Sequence, residues 1–171
     1  MKKPNIVFVF ADQLRYQSCG FSGENNAITP NLDKFAEESM NLTQAVSSMP
    51  VCSAFRASLL TGKYTTSTGM VINELRMNTN HKSIAHCLTE AGYNTGYIGK
   101  WHLYANQLGN HENVNNSHIP VGANRLGFDT YSIRNPFDPI GRINNKPSIS
   151  LIFSSSFIAL LLEPLTSKIV S

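Results

Sequence analysis

Six residues in three short stretches have side chains able to do chemistry together. Asp12 and Gln13 follow the apolar run "NIVFVF" at 5 to 10; Cys52 and Arg56 stand in "VCSAFRASLLTGKY"; Lys100 and His102 follow "YIG". A carboxylate beside an amide oxygen suits a hard divalent cation. Arg, Lys and His suit an oxyanion. Each member has a plainer role if taken alone. Asp12 could be a capping or loop acid, Cys52 a small buried hydrophobe, and Arg56 a solvated helix residue. Lys100 and His102 could simply flank Trp101 at an exposed strand end. The combination is favoured because all three sets fall where ligands bind in open α/β sheets, beyond strand C-termini and at helix N-termini.

The elements that must position these residues are legible in the pattern. "NIVFVF" lacks polar alternation and reads as a buried central strand. In "TPNLDKFAEESM", Thr29 is the N-cap, Pro30 the first helical residue, and Leu32, Phe35, Ala36 and Met40 recur at helical spacing. A helix from about 53 to 61 follows Cys52, placing that thiol at its first turn, and Gly62 closes it. In "KSIAHCLTEAGYNTGYIGKWHL", Ser83 caps a helix with Ile84, Cys87, Leu88 and Ala91 on one face. Gly92 ends that helix and "TGYIG" begins a strand. "LGFDTYSI" at 126 to 133 is a further short strand. Alternating strands and helices imply an α/β fold with a largely parallel sheet.

With 171 residues the chain is long enough for one ordinary domain, and 42% apolar with 15% charged residues fits a folded soluble protein. A net charge of +3 suits an anionic substrate but supplies no basic run for nucleic acid. Three cysteines, an odd number, imply no complete disulfide framework and favour a reduced compartment. The start "MKKPNIVFVFAD" has an apolar run of about seven residues, short for a signal peptide and followed at once by an acid. It therefore reads as a strand, and the chain as cytoplasmic.

Other candidates are weaker. His111 and His118 lie in an Asn- and Gly-rich stretch at 105 to 125 that reads as a surface loop. His81 and His86 read as surface residues, and neither Cys19 nor Cys87 has a CxxC partner. "NLT" at 41 and "NNS" at 115 match glycosylation acceptors, which mean little without secretion. After 143 the composition changes. Between Lys146 and Glu163 there are 16 uncharged residues with no clear period, fewer than the roughly twenty of a membrane span.

Taken together, these stretches resemble the type I, formylglycine-dependent sulfatases of the alkaline-phosphatase-like superfamily. "CSAFRASLLTG" is similar to the family signature C-x-P/A-x-R with its leucine pair and T-G. "PNIVFVFADQLR", "TPNLDKFAEES" and "AGYNTGYIGKWHL" resemble the opening strand, first helix and lysine–histidine motif, in the family's order. The resemblance implies an α/β fold with a mostly parallel sheet flanked by helices. It also implies hydrolysis of a sulfate ester. Cys52 would be oxidised by a sulfatase-maturation enzyme to Cα-formylglycine, whose hydrate offers one hydroxyl to attack sulfur and a second to expel sulfate. Asp12, Gln13 and the modified Cys52 would bind a divalent metal, calcium in most relatives, with magnesium or manganese as alternatives. Arg56 would hold the formylglycine, Lys100 would contact sulfate oxygens, and His102 would assist the second hydroxyl. The partners implied are a sulfated small molecule or carbohydrate and the maturation enzyme, with neither nucleic acid nor membrane.

Departures from the pattern set further expectations. Gln13 replaces the second acid of the usual pair, Ala54 the commoner Pro, and Phe55 a small polar residue. No Asp-Asn or Asp-His occurs anywhere in the chain, so the family's later metal-ligand pair has no counterpart. Residues 1 to 142 are expected to be the N-terminal part of a sulfatase catalytic domain with little activity alone. Residues 143 to 171 form an atypical tail, frameshifted or disordered. The alternatives are a phosphonate or phosphate diester hydrolase of the same superfamily and a non-catalytic remnant. A thiol hydrolase using Cys52 and His102 comes last, since it leaves the metal motif unexplained.

Overall fold

The computed structural model describes residues 3–24, 26–105, 119–132 and 157–164. His111, His118 and Asn115 of "NNS" lie outside them, as do residues 143–156 and 165–171 of the tail.

Four strands form one sheet: β1 (Ile6–Ala11), β2 (Tyr93–Ile98), β3 (Thr130–Ser132) and β4 (Phe157–Pro164), in the order β1-β4-β2-β3. β3 pairs parallel to β2, with Gly96 opposite Thr130. β4 is antiparallel to both neighbours, Ala11 opposing Phe157 on one side and Ile98 opposing Ala159 on the other. Hence β1, β2 and β3 run in one direction and β4 alone runs against them. The aperiodic tail thus supplies a strand inside the sheet.

The helices match the spacing of their sequences. α1 (Pro30–Glu37) begins with Pro30 after Thr29. Thr29 Oγ1 donates to Asp33 Oδ1 at 2.7 Å and accepts from the Gly20 amide, which ties the helix start to the preceding turn. α2 (Cys52–Thr61) ends at Gly62, whose φ of 66° is the left-handed conformation that stops a helix without steric cost. α3 (Thr65–Thr68) is one turn. α4 (Ile84–Glu90) opens on a capping box: the Ser83 hydroxyl accepts from the Ala85 and His86 amides, and His86 accepts from the Ser83 amide.

The core lies between α2, β2 and the segment that leaves β2. Trp101, Leu103 and Ala105 are buried while Lys100, His102 and Tyr104 are partly exposed. This two-residue alternation sends one set inward and the other toward the strand ends. Trp101 packs edge-on to Tyr97 at 4.8 Å, and Phe128 meets both rings at 5.5 and 6.1 Å. Edge-to-face packing of this kind adds about 0.5–1.5 kcal/mol per pair beyond the area buried. Ala57, Leu60, Met70, Met77, Ala85, Ile119 and Leu126 complete the cluster.

Two apolar faces differ from expectation. β1 lies at the edge of the sheet rather than buried in its centre, with Val7 59% and Val9 46% exposed. The apolar stripe of α1 is likewise uncovered, Phe35 being 68% exposed. An apolar pattern records which face can be buried, and the described residues supply no layer over either face. In α4 only Ala85 is buried, and Cys87 is exposed rather than packed. Cys19 lies in a bend, as expected, and is buried there at 2%.

Candidate active site

β1 ends at Ala11 and delivers Asp12; β2 ends at Ile98, and Gly99 leads to Lys100. α2 begins between them with Cys52. These three origins converge. Asp12 Oδ1 accepts from Arg56 Nη2 at 2.9 Å, and Asp12 Oδ2 from Lys100 Nζ at 2.8 Å. Lys100 Nζ also lies 3.7 Å from Cys52 Sγ. The cysteine, at the first helical position, therefore sits beside an ammonium group and the positive end of a helix.

Arg56 is not a solvated helix residue: it is 2% exposed. Its Nη1 donates to the Lys100 carbonyl at 2.8 Å and to Tyr97 Oη at 3.3 Å, and the Tyr97 hydroxyl also donates to that carbonyl. The Phe10 ring lies 5.3 Å from the guanidinium carbon and packs edge-on against Phe55 at 6.0 Å. Phe55, where a small polar residue was usual, thus supports the ring that screens Arg56.

The charges explain the acid–base character. Burial works to raise the Asp12 carboxyl, but the Lys100 hydrogen bond and the Arg56 charge prevail and hold it below its ordinary value. Burial pushes Tyr97 up to about 12 against the opposing effect of Arg56, so its hydroxyl keeps its proton. Burial, with Lys100 and Arg56 adding repulsion, pushes His102 down to about 4, so its imidazole is neutral near pH 7. His102 Nδ1 is buried and has no partner among the described residues. His102 and Gln13 are left-handed, with φ of 54° and 58°. Non-glycine residues held there cluster at functional sites.

The structure therefore joins Asp12, Cys52, Arg56 and Lys100 by direct contact, sets His102 within their electrostatic reach, and leaves Gln13 exposed beside Asp12. It adds residues the sequence patterns did not single out. Val51 precedes α2 and has no side-chain oxygen to cap it; Asn73 Oδ1 accepts from the Ser53 amide at 3.0 Å instead. The Ser53 hydroxyl donates to the His102 carbonyl at 2.5 Å, locking the start of α2 to the segment after β2. Asn73 is 20 residues from its partner, so no local pattern reveals it. Tyr97 was accessible through the alternation Tyr93, Thr95, Tyr97 on β2, all three buried.

A carboxylate with an amide oxygen suits a hard cation in kind, though not in number, since calcium takes about six to eight oxygens. Both Asp12 oxygens are already paired with cationic groups, and among the described residues no three His, Cys, Asp or Glu side chains converge as a metal shell. No helix among the described residues is long and apolar enough to cross a membrane.

An α/β sheet with a carboxylate, two cations and a helix-borne cysteine gathered at its strand ends has the chemistry of a centre for oxyanions. A family profile described as Sulfatase matches residues 4–147, and the chain belongs to the sulfatase family. Over 101 residues it is 50% identical to an ulvan-active sulfatase of Formosa agariphila, covering 59% of this chain and 20% of that protein. It is 35% identical over 155 residues to human arylsulfatase D, covering 80% of this chain and 25% of that one. A solved structure in complex with its substrate D-glucosamine-2-N,6-O-disulfate superimposes with a TM-score of 0.54. The two are 28% identical, and the match covers 68% of this chain and 20% of the other. The α/β architecture is that of the sulfatases, and the chain spans about a fifth to a quarter of the length of these relatives.

Proposed function

We propose that this chain supplies part of the active centre of a sulfuric ester hydrolase, with Cys52 the position oxidised to formylglycine. The observation that supports it most is the placement of Lys100 Nζ, 2.8 Å from Asp12 and 3.7 Å from Cys52 Sγ, at the first turn of α2. In this reading one hydroxyl of the hydrated aldehyde at Cys52 attacks sulfur as the ester S–O bond breaks and the alcohol leaves, and deprotonation of the second hydroxyl expels sulfate as the aldehyde re-forms. The Arg56 fork anchors Asp12 and the Lys100 backbone together, so the cation facing sulfate keeps its place. Lys100 holds sulfate oxygens at the positive end of α2. His102, neutral near pH 7, accepts a proton from the second hydroxyl. Asp12, Gln13 and the modified Cys52 would give three oxygen ligands to a hard-cation site, fewer than the about six to eight that calcium takes. A divalent cation, calcium first among the candidates, would supply Lewis-acid polarisation of the sulfate if held by these oxygens. The substrate is a sulfated small molecule or carbohydrate.

Peptide mass spectrometry across Cys52 tests this directly, after co-expression with a bacterial sulfatase-maturation enzyme. The expected product is an aldehyde that a hydrazide traps. An intact thiol, in cells where a control sulfatase is fully modified, would overturn the assignment of Cys52.

A further inference from the structure

One cavity adjoins the Cys52 centre without being part of it. Residues 73 to 77 run against residues 102 to 105: Met77 N donates to the Leu103 carbonyl at 3.0 Å, and Arg76 and Tyr104 form an antiparallel bridge. Asn73 and the His102 carbonyl each hold Ser53, next to Cys52. The residue that follows Asn73 in the chain, Glu74, lines a cavity of about 490 Å³ together with Leu75, Arg76, Asn78, Thr79 and Asn124, among others. That volume lies within the roughly 300–1,000 Å³ typical of small-molecule sites and far exceeds what a sulfate ion needs.

Arg76 is held in a defined pose although it is exposed. Its guanidinium lies over the Tyr104 ring, 4.1 Å from the centroid, and Nε donates to the Ala105 carbonyl at 2.9 Å. These contacts fix the plane of the group and, among the described residues, use only Nε, leaving the terminal nitrogens for a ligand. A cation already ordered loses less rotamer freedom on binding. Around it Asn78, Thr79 and Asn124 carry mixed donors and acceptors of the kind that pair with sugar hydroxyls.

We propose that this cavity binds the sugar portion of a sulfated carbohydrate, and that Arg76 recognises a second anionic group on it, a carboxylate or another sulfate. The proposal rests on the Cys52 centre taking the reacting sulfate. It makes a singly sulfated neutral sugar the poorer ligand, because nothing then pairs with the fixed cation.

The test is an NMR titration of the ¹⁵N-labelled full chain with three probes: galactose 6-sulfate, D-glucosamine-2-N,6-O-disulfate, and a monosulfated disaccharide bearing a uronic acid. At least one doubly anionic probe should bind about tenfold tighter than galactose 6-sulfate, as one added charge-assisted pair allows. It should shift the amides of residues 74–79 as well as those of Cys52 and Lys100. The probe with the larger gain identifies sulfate or carboxylate as the second group. Arg76→Gln should bring the affinity ratio to about one while leaving galactose 6-sulfate unaffected, and Arg76→Lys should keep part of the gain. A ratio unchanged in Arg76→Gln, or shifts confined to Cys52 and Lys100, would overturn the cavity assignment alone. Shifts at 74–79 without any at Cys52 and Lys100 would overturn the sulfate reading beneath it, and no shift anywhere would overturn both.

Discussion

Replacing Arg56 by methionine measures how much of the fold depends on the charge cluster. Methionine keeps the aliphatic stem and removes the fork. The loss begins at Asp12, whose carboxylate is left with Lys100 as its only close cation among the described residues. Removing one partner of a buried pair costs about 3–5 kcal/mol when the other charge is stranded. Asp12 is not stranded: it is 21% exposed and keeps Lys100 at 2.8 Å, which brings this part down to about 1–2 kcal/mol. The Lys100 carbonyl loses a donor but keeps the Tyr97 hydroxyl, so it adds about 1 kcal/mol. A total of about 2–3 kcal/mol is a large share of a typical stability of about 5–15. In urea, with a slope of about 2 kcal/mol/M, it lowers the unfolding midpoint by about 1–1.5 M. Arg56→Lys, which keeps the charge and loses the fork, should fall about half as far. Pairing Arg56→Met with Asp12→Asn should cost at least about 1 kcal/mol less than the sum of the single changes, because the two share one interaction. A midpoint within about 0.2 M of wild type for Arg56→Met, or strict additivity with Asp12→Asn, would refute the argument that Arg56 acts through Asp12.

Two further predictions concern proton binding and backbone geometry. His102 titrates at about 4 when folded against an ordinary 6.5, so between these values the unfolded chain binds the extra proton. Stability should thus decline as pH falls through this window, by on the order of 1 kcal/mol after allowance for the exposed part of the ring. Urea midpoints across that range check it, and His102→Gln should remove that decline. Asp12, held below its ordinary value, adds stability that is lost only at still lower pH, through its own folded value. Gly127 has φ of +86°, and a Cβ there would lie 2.8 Å from His86 Cδ2 and 3.0 Å from the His86 amide nitrogen. Gly127→Ala should therefore lower the melting temperature by about 4–8 °C, as about 2 kcal/mol does in a chain of this size. Gly23→Ala, with φ of +91° and open space around it, should fall less.

Where the determinants of structure are local, the sequence displays them. The stop of α2 at Gly62 and the Ser83 cap of α4 follow from residues within one helical turn, and both are found as their types require. The meeting of Asp12, Arg56 and Lys100 was legible at one remove, since strand ends and a helix start fall together in an α/β sheet. What stayed hidden depends on distant partners. The Asn73 cap reaches across 20 residues, and the buried setting of Arg56 needs Phe10, Tyr97 and the Lys100 carbonyl at once. The exposure of β1 and α1 could not be read from their apolar patterns, which specify a face but not its cover. The tail gave no period because a strand paired on both sides does not require one.

Strand β4 has a consequence for tolerance to change. It lies between the strands that deliver Asp12 and Lys100, so their backbones exit the sheet two strand spacings apart, about 9–10 Å. The Arg and Lys side chains are long enough to close that gap onto one carboxylate. The spacing belongs to the hydrogen-bond ladder and is nearly the same for either strand direction. The gauge of the charge cluster is therefore set by the presence of one intervening strand, whatever its sequence or polarity. Evolution is free to rewrite that strand without resetting the distance over which the two cations and the acid must meet.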